Sequence, residues 1–125
     1  MKTFTAGTAT LLLLALPAIA NAADRKDAQL AMTQADTAIT SAQHADAAMS
    51  ASTELKIARD MFANAQTAFD HRRWLDSEFN AENATADANL ATARSRQHRA
   101  EAATAEIETT VRSLREQLGI AGGQP

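Results

Sequence analysis

Three histidines, His44, His71 and His98, are the side chains best suited to bind a metal or move a proton near neutral pH. Their spacing argues against both roles. Two ligands on one helix must stand three or four positions apart, and none of the three has a second histidine at that distance. The chain also has no cysteine to complete a site. Glu78 and Glu82 lie one helical turn apart, with Asp76 close by, a grouping able to hold a cation or share a proton. Without long loops to wall off a pocket around them, they read as solvated charge. Arg94, Arg96, His98 and Arg99 form a basic cluster that suits a phosphate or an anionic glycan. No aromatic residue is interleaved among them for base stacking, so nucleic acid is not an expected partner. Asn83-Ala84-Thr85 matches a glycosylation acceptor but falls within a continuous helical pattern. A glycine-rich phosphate loop, a nucleophile elbow and a dinucleotide fingerprint are all missing. The expectation is a protein that is not an enzyme, with no catalytic residue, cofactor or metal.

The elements that carry these residues are legible in the spacing of small side chains. Ala28, Ala31, Ala35, Ala38, Ala42, Ala45 and Met49 recur at alternating steps of three and four. Such a stripe stays on one face of a helix and packs closely on a neighbour. All four glycines and both prolines of the 125 residues lie toward the two ends, so no strong helix breaker interrupts Ala18–Leu118. The first helix is expected over about 24–49, with Asp24 or Asp27 near its positive end, and Ser50-Ala51-Ser52-Thr53 as the first break. The second, about 53–70, carries Leu55, Ala58, Phe62, Ala65 and Phe69 on its apolar face, and Lys56 with Asp60 on its wet one. Asp70-His71-Arg72-Arg73 then forms the second turn, with Asp70 or His71 suited to a left-handed residue. The third helix, about 74–118, ends at Gly119, a natural cap. The fold expected is all-α: an elongated antiparallel three-helix hairpin, coiled-coil-like, with a long C-terminal helix and a flexible tail over 119–125.

That third helix shows two stripes. One is Ser77, Ala81, Ala84, Ala88 and Ala91. The other starts at Ala86, Leu90 and Ala93, passes Gln97, Ala100 and Thr104, and ends in Ile107, Val111, Leu114 and Leu118. Two early stripes suggest two neighbours. At about 1.5 Å per residue the helix is about 66 Å long and outruns its partners beyond about residue 100. An isolated helix cannot bury Ile107, Val111, Leu114 and Leu118 by itself, so a coiled-coil contact is expected there, with a second copy or another protein. Phe62, Phe69, Trp74 and Phe79 gather around the second turn. They favour a small core that locks the hairpin tip over an exposed docking patch, with Phe69 and Trp74 as the leading pair.

At the N-terminus, Lys2, the apolar run Leu11–Leu16 and Ala20-Asn21-Ala22 fit a secretory signal over 1–22, cut after Ala22 or Ala20. The apolar run is too short for a span of about 20 residues, so no stable membrane anchor is expected after cleavage. The exported domain, 23–118, would be periplasmic. Net charge is −3, which gives no strong field toward a polyanion.

Leu55-x-x-Ala58-Arg59-Asp60-x-Phe62-x-x-Ala65-x-x-Ala68, a short turn, then Trp74-x-x-Ser77-x-x-x-Ala81-x-x-Ala84-x-x-x-Ala88-x-x-Ala91 resembles the exported bacterial family DUF4398. The resemblance runs from about Ala28 to Ala105. It departs at Ser77, where alanine is usual, at a turn without glycine, and in having no lipobox cysteine. It implies an alanine-rich helical hairpin of the cell envelope and carries over no catalytic or binding residue. Many relatives look fused to an OmpA-like peptidoglycan-binding domain, for which 125 residues leave no room. The expected role is a non-enzymatic structural or interaction protein. The alternative is a module that binds an envelope protein or peptidoglycan through the aromatic tip and Arg94, Arg96 and Arg99.

Overall fold

The structure, a computed structural model, describes residues 16–119, with side chains from Asp24 onward. Most of the expected signal, residues 1–15, and residues 120–125 of the expected tail lie outside that range. Four helices follow one another: α1 (Leu16–His44), a single turn α2 (Ala47–Ser50), α3 (Ser52–Asp70) and α4 (Trp74–Gln117). The chain runs up, down and up. Met32 of α1 meets Ser77 early in α4, and Ala45 meets Ser95 further along, so α1 and α4 are parallel. Glu54 pairs with Arg94 and Ala65 with Ser77, so α3 is antiparallel to α4. The helix expected from Asp24 begins instead at Leu16 and passes through both candidate cleavage positions, Ala20 and Ala22.

α4 is the shared spine. It packs along both α1 and α3, which touch each other far less. The core explains why. Ala28, Ala31, Ala35, Ala38 and Ala42 of α1, and Ala45 just past its end, face Ala81, Ala84, Ala88 and Ala91 of α4, with Ala58, Ala65 and Ala68 from α3, and all are buried. Methyl groups let helix axes approach to the short end of the usual 8–10 Å. One narrow stripe of α4 therefore serves both neighbours, and Ser77 and Ser95 extend it at each end. The second stripe is left over: Ala86, Leu90 and Ala93 are exposed rather than packed on a second neighbour.

Two buried clusters result, one near the first turn around Leu55 and Ile39, the other nearer the hairpin tip around Ala35 and Ala81. Phe62 packs against both. Among the described residues, Leu55 and Ile39 are the only large aliphatic side chains that are buried, and Leu55 is fully enclosed. Ile39 sits one step off the alanine periodicity, beside Ala38.

The first helix stops at His44, short of the expected Met49. Asp46 adopts a left-handed conformation, φ 60° and ψ 28°, which aspartate tolerates better than most residues. Its N–H donates to the Gln43 carbonyl at 3.0 Å, and the chain turns there. Ala47 and Ala51 take the inward positions, and Met49 points out, 90% exposed. The turn is pinned to α4 by hydroxyls: Ser50 donates to Ser95 Oγ at 2.8 Å, and buried Ser95 donates to the Ala45 carbonyl. Removing this link with Ser95→Ala leaves that carbonyl without its hydroxyl donor. The expected loss is about 1–2 kcal/mol, read from the midpoint of urea unfolding.

At the second turn the strained residue is Arg72, φ 57°, and neither Asp70 nor His71. Arg72 N–H donates to the Phe69 carbonyl at 2.9 Å and Arg73 N–H to that of Ala68 at 2.9 Å, the Schellman pattern. With the helix ending at Asp70 and His71 as cap, position 72 is the one that must turn left-handed. Glycine suits that position best, so Arg72→Gly is expected to raise stability by about 0.5–1 kcal/mol. A lower thermal midpoint would contradict this geometry. At the far end of α4, Gly119 takes φ 66° with open space around it, as the cap requires.

Candidate interaction surface on the outer face of helix four

Burial along α4 ends at Ser95. Every residue from Arg96 to Gly119 is exposed, and the helical part of that run projects about 33 Å beyond the bundle. The leftover stripe runs along the side of α4 facing away from α1 and α3. From Ala86 it passes Leu90, 43% exposed, and continues through Ala93, Gln97, Ala100 and Thr104 to Ile107, Val111, Leu114 and Leu118. The last four are the densest group of exposed aliphatic side chains among the described residues. Each is about 40–70% exposed, far above the core. Thr104, Thr109 and Thr110 turn their hydroxyls back onto helix carbonyls four residues earlier, at 2.8–3.0 Å. Thr104 therefore presents its methyl side to the stripe and adds no free polar group.

The aromatic residues do not form one tip core. Phe62 lies mid-bundle. Phe69 and Trp74 meet across the second turn edge-to-face, centroids 4.8 Å apart and planes at 68°. The Arg25 guanidinium stands over Trp74 at 5.9 Å, which ties α1 to the hairpin tip. Phe79 is exposed with Leu75, on the outer side of α4. An open groove of about 500 Å³ lies between α1 and α3 above Phe62 and Phe69, with Arg25, Gln29, Asp36 and Gln66 along its rim.

The basic cluster is likewise divided. Arg94 is drawn into an ion pair with Glu54 of α3, whose carboxylate side chain is only 14% exposed. Arg96, His98 and Arg99 stay in solvent. Trp74 and Arg99 are 25 positions apart on one straight helix, about 37 Å, so tip and arginines do not share a binding surface. The Glu54–Arg94 pair was not legible beforehand, because it joins positions 40 apart in the chain. The three histidines are exposed, and His71 sits at the hairpin tip, at the other end of the bundle from His44 and His98. Among the described residues, no three His, Cys, Asp or Glu side chains gather as metal ligands would. Glu78 and Glu82 lie on the open flank of α4, and Ala84, inside the glycosylation-like triplet, is buried in the bundle. No described helix is long and apolar enough to cross a membrane.

Residues 30–107, more than half the chain, match the family described as a domain of unknown function, DUF4398. No curated protein and no solved structure matches the chain. The family match ends at Ile107, so it takes in the bundle and the first half of the projecting stripe, but not Val111, Leu114 or Leu118.

Proposed function

We propose, from the premise that this chain belongs to the DUF4398 family, that it is a non-enzymatic interaction protein of the bacterial cell envelope. It would be exported on the segment ending near Ala22, and would work by presenting the outer face of α4 to a partner helix. The observation that carries this reading is the mismatch between the two halves of α4. The first half spends one face on an alanine core, while the second carries its largest aliphatic residues in the open. A helix of about 22 residues with no neighbour is marginal in water, and a partner helix on the aliphatic stripe would stabilise it. The recognition chemistry would be apolar, along a line rather than in a pocket.

A photo-reactive amino acid replacing Val111 in cells tests this. The expected result is a discrete adduct in the periplasmic fraction, and little from the same group at Thr109, on the opposite side of the helix. Equal yields at both positions, or retention of the protein in the cytosol, would refute the proposal.

A further inference from the structure

We infer that the partner on the outer face of α4 is a second copy of this chain, joined as a parallel, in-register, two-stranded coiled coil over Leu90–Leu118. This rests on the reading of that face as an interaction surface and supplies its occupant. From Leu90 the stripe alternates three and four without interruption for four heptads, about 42 Å. Leu90, Gln97, Thr104, Val111 and Leu118 fall at one core position (a), and Ala93, Ala100, Ile107 and Leu114 at the other (d). The bundle leaves this seam free, because its buried stripe lies on the opposite side of α4.

Charge complementarity selects the arrangement. In a parallel pair, each residue flanking the seam at position g meets the residue five places later, at position e of the other strand. Arg96 and Glu101 are such a pair. Neither makes an ion pair among the described residues, and Glu101 accepts only the Gln97 amide, at 2.9 Å. Two-fold symmetry would set each Arg96 beside the other copy's Glu101. The remaining flanking contacts, Asn89 with Arg94, Ala103 with Glu108 and Thr110 with Arg115, each include an uncharged member, so no like charges oppose. An antiparallel overlap of similar length sets Glu101 against Glu108 and Arg94 against Arg115. Every antiparallel register also puts Gln97, an a residue, opposite a d residue of the other strand, Ala93, Ala100, Ile107 or Leu114, where its amide has no like partner. In parallel register Gln97 faces its own copy, where the two amides can bond to each other.

The chain has no cysteine, so an introduced one reports register cleanly. In the full chain, V111C equilibrated in a glutathione redox buffer is expected to become mostly covalent dimer. T109C, on the far side of the helix, should remain mostly uncrosslinked. Adding I107D and L114D to V111C should abolish the crosslink, which excludes pairing through any other surface. Sedimentation equilibrium of the wild-type chain from about 5 to about 200 μM should show monomer giving way to dimer. A monomer throughout would overturn self-pairing, while adducts of Val111 with a different protein in cells would leave the proposed function standing. A dimer in which V111C crosslinks no better than T109C would overturn the parallel register.

Discussion

Ala88→Leu is expected to unfold the bundle or nearly so, with a loss of about 3 kcal/mol or more in urea denaturation. Ala88 has no exposed surface and lies among Ala38, Ala42, Ala47 and Ala58, where α1 and α3 both close on α4. Three added carbon atoms find little room through rotamer changes, because that cluster is mostly methyl groups, with Ile39 and Leu55 as its only large buried members. The helices must separate, and separation uncovers the whole seam. Ala93→Leu makes the same chemical change five residues later on the same helix, on its outer face. It is expected to leave the bundle within about 0.5 kcal/mol of wild type. A similar loss in both variants would mean that alanine packing is not what holds α4 in place.

The second large effect is expected from I107D with L114D. Both residues stand outside the bundle, so the core from Ala28 to Ser95 should keep its stability. What should disappear is every contact made by the projecting half of α4. A carboxylate placed on an apolar seam must be desolvated or must break the seam, and each costs several kcal/mol per helix pair. The variant should melt at a temperature independent of concentration and give no adduct from a photo-reactive group at position 111. A substitution to Leu at Thr109, across the helix, should leave both properties intact.

The alanine stripes were readable in advance because a period of three and four is a property of one helix. Ala28 through Ala45 and Ser77 through Ala91 are buried as that period demands. What sequence left open depended on neighbours. The second stripe on α4 shows that a face is apolar but not what covers it; with methyl-sized contacts, one stripe is enough for both α1 and α3. The break expected at Ser50-Ala51-Ser52-Thr53 is present, with Ala51 outside any helix and α3 starting at Ser52. The additional turn at Asp46 was not foreseen; aspartate tolerates the left-handed backbone it adopts there. Arg72 is left-handed because of where the preceding helix ends, rather than by its own preference. Phe62, Phe69, Trp74 and Phe79 are near in sequence but are divided by helix geometry: one goes to the bundle centre, two pair at the tip, and one faces out. Arg94 looked like part of a basic cluster, and only the antiparallel course of α3 brings Glu54 to it.

Hydrogen exchange along α4 tests most directly whether its projecting half is a covered interaction surface. An exposed helix of that length without a partner exchanges nearly as fast as an unfolded chain. Amides from Ala100 to Gln117 of the wild-type chain are expected to show protection that rises with protein concentration and vanishes in I107D with L114D, while those from Ala81 to Ala91 stay protected in both. Equal and rapid exchange over Ala100–Gln117 at every concentration, unaltered by the two aspartates, would contradict it.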